Sequence, residues 1–182
     1  MAELKYKDGD ATKPIGKGPR VILHCCNDIG AWGAGFVVAV SDTFGKDAMS
    51  PEMKYRDWAD KGTTQLYSGS PEKVKFELGA VQFVYTNQTD VWVANMIGQH
   101  NVGSKKSKEP PIRYHAINDG LKATAAFCKR TKAAVHCCRF GSGLAGGDWL
   151  LIEAMIKELL VAEGVDVTVY NYVCANPPKG AV

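Results

Sequence analysis

Two stretches of the chain repeat one arrangement, and this arrangement restricts the possible folds more than any other feature of the sequence. In each stretch an apolar run leads directly into a glycine-rich segment, and apolar residues at helical spacing follow. The apolar runs cover residues 20–26 and 133–140, and the glycine-rich segments cover residues 30–35 and 141–147. Continuous apolar runs of this length are typical of strands that are covered on both faces. The repeat therefore predicts an α/β fold around a buried sheet.

The remaining elements extend this sheet and cover it with helices. A polar stretch joins two strand-like segments in the middle of the chain, which predicts an antiparallel hairpin. Strands are predicted over residues 4–7, 20–26, 78–85, 91–97, 133–140 and 165–173. Helices are predicted over residues 36–44, 112–130 and 148–162, with a further short helix that opens at Pro51. This order of elements predicts a three-layer α/β/α sandwich with a mixed central sheet.

The length and composition suit one domain without a membrane segment. The chain has 182 residues, of which 46% are hydrophobic, and we expect residues 1–174 to form a single domain and residues 175–182 a flexible tail. The N-terminus lacks the apolar core of a signal peptide, and no apolar stretch approaches the length of a membrane span. We therefore expect a monomeric protein in the cytoplasm, or in the nucleus if the source is eukaryotic, with no membrane partner.

Charge and cysteine content indicate the kind of ligand and the kind of site that the chain provides. The formal net charge of +3 suits an anionic ligand, whereas nucleic-acid binding would require a strong basic stripe. Lys105, Lys106 and Lys108 cluster within residues 101–111, which is typical of a solvated loop. The six cysteines include two adjacent pairs inside apolar runs and no CxxC spacing, so we expect reduced, buried thiols. The sequence has no metal-ligand cluster, which predicts a site that needs neither metal nor cofactor.

Both glycine-rich segments lie where a strand gives way to a helix, and such positions suit anion binding. Glycine lets the backbone approach a ligand closely, and the first amides of a helix are free to donate hydrogen bonds. In an open α/β sheet, ligands bind beyond the carboxyl ends of the strands. A single loop of this kind is weak evidence, because glycines are common wherever a strand turns into a helix. Two such loops after two central strands are expected to hold a diphosphate between them.

The second segment also matches the GxGxxG spacing of dinucleotide-binding folds, from Gly141 to Gly146. That fingerprint opens a βαβ unit with more of the sheet to follow, whereas only one helix and one strand remain after this segment. Asp166 lies near the position of the ribose-binding acid, but it begins the last strand instead of ending it. We therefore set the nicotinamide-dinucleotide interpretation aside.

Four motifs stand in a fixed order along the chain. They are Gly9-Asp10-Ala11-Thr12, Ile22-Leu23-His24-Cys25-Cys26-Asn27, Trp32-Gly33-Ala34-Gly35 and Gly141-Ser142-Gly143-Leu144. In this order and spacing they resemble the macrodomain family, and the match spans about residues 4–173. The pattern is most similar to the small stand-alone branch that includes ADP-ribose-1''-phosphate phosphatases and terminal ADP-ribose protein glycohydrolases. The resemblance implies a macrodomain fold whose ligand is ADP-ribose or ADP-ribose 1''-phosphate.

The resemblance also implies how these motifs contact the ligand. The carboxylate of Asp10 would accept a hydrogen bond from the adenine amino group, with Tyr170 and Asn171 at the border of the adenine pocket. The first glycine-rich segment would line the distal ribose and a phosphate, and the second would wrap the diphosphate with backbone amides. Trp32 would lie at the rim, and its alternative is a core aromatic. Asn27 would lie near the distal ribose, and its alternative is an Asx turn that ends the strand. The full set of expected ligand contacts is Asp10, Ala11, Asn27, Trp32, Gly33, Ala34, Gly35, Phe36, Gln99, Gly141, Ser142, Gly143, Leu144, Ala145, Gly146, Gly147, Tyr170 and Asn171.

The sequence departs from the glycohydrolase pattern at the positions that carry its chemistry. The resemblance aligns Gln99 and Ala145 with the lysine and the aspartate of that pattern, so a lysine adduct is not expected. Asp148, His24 and His100 are the remaining titratable candidates for activating water in phosphate-monoester hydrolysis. Their alternatives are a helix N-cap for Asp148, a buried hydrogen-bonded histidine for His24 and a solvated histidine for His100.

Three functions remain open from the sequence. The first is hydrolysis of ADP-ribose 1''-phosphate to ADP-ribose and phosphate, and the second is removal of ADP-ribose from a modified protein or nucleic acid. The third is a binding module that holds ADP-ribose or a related nucleotide without turnover. The missing lysine and aspartate disfavour the second function, and Asp148 favours the first over the third. The fold alone does not decide among these functions, because proteins that only bind ADP-ribose and enzymes that remove it share macrodomain-like sites.

Overall fold

A six-stranded mixed sheet lies between two layers of helices in the computed structural model, which describes residues 1–103 and 108–172. The strands are β1 (Leu4–Asp8), β2 (Arg20–Asn27), β3 (Thr63–Gln65), β4 (Lys73–Lys75), β5 (Val81–Tyr85), β6 (Val91–Gln99), β7 (Ala134–Cys137) and β8 (Val167–Asn171). The helices are α1 (Phe36–Phe44), α2 (Pro51–Lys61), α3 (Tyr114–Thr131) and α4 (Trp149–Ile156). The sheet has the order β1-β8-β7-β2-β6-β5, in which only the β5–β6 pair is antiparallel. This arrangement confirms the predicted α/β/α sandwich.

Each face of the sheet packs against its own pair of helices. The side chains of β2 alternate between the faces: Val21 and Leu23 join the core under α3 and α4, whereas Ile22 and Cys26 join the core under α1 and α2. All four residues are at most 3% exposed. A strand covered on both faces must be apolar at almost every position, which explains the continuous apolar run in the sequence.

Several elements differ from the sequence-based expectations in their bounds. The strand expected over residues 78–85 begins at Val81, because Ala80 N donates to Glu77 O at 3.1 Å and closes a turn. The strand expected over residues 133–140 ends at Cys137, because Phe140 N bonds back to Cys138 O at 2.8 Å. The small β3–β4 hairpin was not expected, since its strands contain no apolar run. A π-helical turn (Lys157–Val161) continues α4.

Some expectations fall outside the described residues. These are the flexible tail over residues 175–182 and the placement of Lys105 and Lys106 in a solvated loop. Among the described residues, the five cysteines are free thiols and no helix is long and apolar enough to cross a bilayer.

The strand order brings the two glycine-rich loops together. β2 and β7 are adjacent and parallel, with Leu23 opposite Cys137, so their carboxyl ends meet at the same edge of the sheet. From this edge the first loop (residues 28–35) leads to α1 on one face, and the second loop (residues 138–148) leads to α4 on the other. The chain therefore builds a crevice between the two loops, at the place where open α/β sheets bind ligands.

Gly30 is the residue of the first loop with the strictest steric requirement. Its φ is 74°, and a Cβ at this position would lie 2.8 Å from Ala59 Cβ. We expect Gly30→Ala to lower the free energy of unfolding by about 2 kcal/mol, because the left-handed backbone and the contact with α2 both oppose a side chain. Gly33→Ala is the matched control, since no atom lies within 4 Å of its Cβ position. Urea denaturation measures both, and equal stabilities would contradict this expectation.

Candidate functional site

A groove runs between the two loops at the carboxyl edge of the sheet. It consists of a narrow half of about 220 Å³ and a wide half of about 450 Å³, and both halves are lined by Gly35, Phe36 and Cys138. The narrow half lies between the first and second loops, and the wide half lies between α1 and the ends of β1 and β8. Because the halves meet at the N-terminus of α1, they form one elongated site.

Asp10, Ala11 and Tyr170 line the wide half, as expected for an adenine site. The two oxygens of the Asp10 carboxylate differ in their contacts. Oδ1 accepts hydrogen bonds from the amide of Thr12 at 2.9 Å and from its hydroxyl at 2.7 Å, while Oδ2 lies 4.0 Å from Lys13 Nζ. The first oxygen therefore fixes the turn after β1, and the second is in a position to accept a hydrogen bond from a ligand.

Tyr170 and Asn171, both expected at the adenine border, occupy different environments. Tyr170 is 3% exposed, and its hydroxyl accepts from Ile15 N at 3.0 Å, which fixes the ring beside the wide half. The Asn171 side chain accepts from Arg139 Nη2 at 3.1 Å and donates to Asp8 Oδ1 at 3.3 Å. Asn171 thus links β8 to its neighbours, and it is not among the described residues that line the groove.

Asn27 and Trp32 shape the first loop from inside the protein. Asn27 Oδ1 accepts from the amides of Ile29 at 3.1 Å and Ala31 at 2.9 Å, and this Asx turn folds the loop back on the end of β2. The Trp32 ring is 8% exposed, and its Nε1 donates to Ser41 Oγ at 2.8 Å. The structure therefore corrects the expected rim position of Trp32. The indole is a core residue under α1 and α2, because burial and the hydrogen bond hold it there.

Gly35 places the first turn of α1 where the two halves of the groove meet. Its φ of 82° is in the left-handed region, and no atom lies within 4 Å of the position that a Cβ would take. Val38 N donates to Gly35 O at 3.2 Å, whereas the amides of Phe36 and Val37 have no acceptor among the described residues. No side chain caps this helix within the described chain. These amides and the helix dipole provide an anion-binding position.

The second loop is a tight turn held by its own glycines. Gly147 N donates to Gly141 O at 2.8 Å, and Gly146 N donates to Gly143 O at 3.1 Å. This corrects the expectation that the whole of residues 142–147 presents amides to the diphosphate, because these two amides are already bonded. Within the described chain, the amides of residues 142–145 have no acceptor. They provide a short row of donors beside the narrow half.

His24 lines the narrow half of the groove but is almost fully buried there. It is 1% exposed, its Nε2 lies 2.7 Å from Asn95 Oδ1, and its Nδ1 lies 3.7 Å from Cys26 Sγ. Asn95 Nδ2 donates to Pro51 O and Gln82 Oε1, so Asn95 Oδ1 is the acceptor and His24 Nε2 carries the proton. Burial lowers the pKa of His24 to about 4, so the ring is neutral at pH 7. This geometry matches a structural histidine and argues against the expected catalytic role.

His100 and Asp148 are exposed and lie outside the described lining of the groove. His100 Nδ1 is 2.7 Å from Asp28 Oδ2, and Asn101 N donates to Asp28 Oδ1 at 2.7 Å. Partial burial raises the pKa of Asp28, but these hydrogen bonds outweigh it and lower the pKa overall. Asp148 Oδ1 accepts from Leu150 N at 2.9 Å and caps α4. The structure thus does not bring the three catalytic candidates together.

The side chains of the narrow half that were not among the sequence candidates include Cys25, Cys138 and Arg139. Burial raises the pKa of the Cys25 and Cys138 thiols to about 12, so both are protonated at pH 7. The Arg139 guanidinium lies 5.3 Å from the centroid of the Tyr6 ring. All three residues are at or just beyond the carboxyl ends of β2 and β7, and that position is the sequence signal that could have identified them.

Similarity to known proteins assigns the chain to a family. No family model matches it. The structure of a macrodomain protein from Streptomyces coelicolor is 42% identical, covers 94% of this chain and 100% of that one, and superposes with a TM-score of 0.75. The chain belongs to the macrodomain family. As a class, macrodomains bind or process ADP-ribose.

Two further proteins are similar to this macrodomain over most of its length. A protein of unknown function from Bacteroides thetaiotaomicron is 45% identical, with 94% of this chain and 99% of that chain covered and a TM-score of 0.81. The Chromodomain-helicase-DNA-binding protein 1-like of Danio rerio is 26% identical over 170 residues, which are 93% of this chain and 16% of that protein. The macrodomain therefore spans about a sixth of the length of the curated relatives that it matches.

The macrodomain brings most of the expected ligand contacts to one groove. The groove is lined by Asp10, Ala11, Ala34, Gly35, Phe36, Gln99, Gly141, Gly143, Leu144, Ala145 and Tyr170. Other expected contacts lie outside its described lining, namely Asn27, Trp32, Gly33, Ser142, Gly146, Gly147 and Asn171. Several of these form the hydrogen bonds that hold the two loops in shape.

Proposed function

We propose that the groove of this macrodomain binds ADP-ribose, with the adenosine in the wide half and the distal ribose in the narrow half. The observation that carries the proposal is the junction of the two halves. There the first-turn amides of α1 and the row of amides in the second loop border the same groove. A diphosphate joins two nucleoside-sized groups and accepts hydrogen bonds from both sides, so this junction suits it.

Calorimetric titration with ADP-ribose tests the proposal, with AMP as the control ligand. We expect a micromolar dissociation constant for ADP-ribose and at least about tenfold weaker binding of AMP, because AMP lacks the second phosphate and the distal ribose. Absence of binding by ADP-ribose, or equal affinity for both ligands, would contradict the proposal.

Asp10 gives the adenine end its own test. We expect Asp10→Ala to weaken ADP-ribose binding roughly 10- to 100-fold, because a hydrogen bond to a charged acceptor contributes about 1.5–3 kcal/mol. The substitution also releases the Thr12 turn, so a second ligand is needed to separate the two effects. The inosine analogue of ADP-ribose lacks the amino group and should bind weakly to the wild type. If Asp10→Ala still binds ADP-ribose more tightly than the inosine analogue, the proposed hydrogen bond between Asp10 and the adenine amino group is wrong.

We propose as a second function that this macrodomain hydrolyses ADP-ribose 1''-phosphate to ADP-ribose and phosphate. Gln99 supports it, because its side chain lines the narrow half, where the 1'' end of the ligand would lie. Its Nε2 donates to Asn101 O at 3.1 Å, so Oε1 is the atom that would orient a water. Removal of ADP-ribose from a modified macromolecule has less support, because Gln99 and Ala145 align with the lysine and the aspartate of the glycohydrolase pattern.

Phosphate release from ADP-ribose 1''-phosphate tests this second function. We expect Gln99→Ala to slow release by about 100-fold, which is typical of losing a group that positions the water. Asp148→Asn is the matched variant, since asparagine keeps the helix cap and removes the carboxylate. Loss of release in Asp148→Asn alone would assign the activating role to Asp148 instead. No release by the wild type would leave binding as the function.

A further inference from the structure

A second groove, here called the edge groove, runs along β5, the edge strand of the sheet. Its volume is about 500 Å³, and residues 82–85 of β5 form its floor. Tyr67 and Trp92 line it on one side and Lys54 on the other. It shares no described residue with the proposed ADP-ribose groove. Neither of the proposed functions uses it.

The register of β5 determines which backbone groups point into the edge groove. Thr86 N donates to Val91 O, so Thr86 and every second residue before it bond to β6. Phe83 and Tyr85 therefore direct their backbone groups away from the sheet. Phe83 N is bonded to Leu66 O at 2.8 Å, whereas Phe83 O and Tyr85 N have no partner within the described chain. The edge is therefore covered at Phe83, which is 2% exposed, and it opens at Tyr85, which is 47% exposed.

The two sides of the edge groove differ in chemistry. On the α3 side, Tyr67, Tyr85 and Trp92 form an aromatic wall. The Trp92 ring is held in place, with centroid distances of 4.8 Å to Tyr85 and 5.2 Å to Phe127. On the α2 side lies Lys54, which makes no salt bridge with the described residues. An occupant that crosses the edge thus meets aromatic rings on one face and a cation on the other.

We propose that the edge groove binds an extended peptide segment of another protein, with alternating apolar and acidic side chains, as an added strand on β5. Successive side chains of a strand point to opposite faces. The apolar side chains would therefore pack on the aromatic wall, and the acidic side chains would approach Lys54. The N–H and C=O groups of the peptide pair with Phe83 O and Tyr85 N, as in other cases of strand addition.

Fluorescence anisotropy on the full chain tests the proposal, with a fluorescein-labelled hexapeptide of alternating phenylalanine and glutamate as the probe. We expect saturable binding that Lys54→Glu weakens about tenfold, because charge reversal opposes the acidic side chains. Lys75→Glu is the matched control, since this exposed lysine of β4 does not line the edge groove. A peptide with N-methylated amides should bind at least about tenfold more weakly, because it cannot donate to the edge. Unchanged calorimetry of Lys54→Glu with ADP-ribose would show that the variant is folded.

Five results would overturn the proposal. The first is that the wild type does not bind the probe, and the second is that it binds the N-methylated peptide equally well. The third is that Lys54→Glu and Lys75→Glu change the affinity for the probe by the same factor. Competition by ADP-ribose would place the peptide in the first groove. A fifth result assigns the edge to a second copy of this chain: dimerisation in sedimentation equilibrium that Tyr85→Pro abolishes, without binding of the probe. That result would also overturn the proposal.

Discussion

Gly143→Val is expected to weaken ADP-ribose binding strongly while it leaves the stability of the macrodomain unchanged. Gly143 lies in the second loop, its φ is outside the left-handed region, and a Cβ at this position would have no atom within 4 Å. A side chain there is compatible with the fold, and it would fill the space beside the row of amides that we assign to the diphosphate. We expect affinity to fall at least about 100-fold, which corresponds to about 3 kcal/mol.

Two further substitutions separate occlusion from misfolding. Gly143→Ala should have a smaller effect on binding than the valine variant, because a methyl group fills less of the groove. Gly147→Ala should lower both binding and the melting temperature, since its Cβ would lie 2.5 Å from Gly141 O in the bond that closes the loop. Calorimetry measures the ADP-ribose affinity of the three variants, and thermal melting measures their stability. Wild-type affinity in Gly143→Val would remove the second loop from the proposed site.

The free energy of unfolding is expected to fall by about 4 kcal/mol between pH 7 and pH 5, because two buried histidines resist protonation. Burial lowers the pKa of His24 and of His136 from 6.5 to about 4, and Arg20 adds to the effect at His136. Between these values the unfolded chain binds protons that the folded chain does not, so protonation favours unfolding. Each histidine contributes about 2 kcal/mol over this interval.

Urea denaturation at pH 7, 6 and 5 measures how the free energy of unfolding depends on pH. These pH values lie above the range in which most carboxylates titrate, so the histidines dominate the change. His136→Gln should reduce the decrease by about half, whatever its effect on stability at pH 7. His115→Gln is the matched control, because His115 is exposed on α3. Equal decreases in the wild type and His136→Gln, or no decrease in the wild type, would contradict the burial argument.

The sequence predicted the layers of the fold because binary patterning carries that information. The apolar run at β2 indicates cover on both faces, and the hairpin of β5 and β6 follows from two strand-like segments around a polar turn. The small hairpin of β3 and β4 has two strands of three residues each, and Val74 is their one apolar residue, so it gives no such signal. Its position depends on contacts such as that of Leu66 O with Phe83 N, which are remote in sequence.

The candidate site was predictable at the level of its loops and less so at the level of side chains. Glycines after buried strands indicated both loops, but a motif does not show which way a side chain points. Trp32 belongs to the first-loop motif, yet its hydrogen bond to Ser41 and its burial direct it into the core. Asp148 follows the second-loop motif, and it caps α4 instead of lining the groove. Arg139 lines the groove although no motif includes it.

The central claim is that one groove binds ADP-ribose with the amides of both loops. Titration of the ¹⁵N-labelled macrodomain with ADP-ribose, followed by amide chemical shifts, tests it most directly. We predict saturable shifts at the amides of Phe36 and Val37 and at those of residues 142–145, together with Ala11 in the wide half. AMP should shift the wide half and leave residues 142–145 largely unchanged. Saturable shifts confined to other parts of the chain, such as the edge groove, or no shifts at all, would contradict the claim.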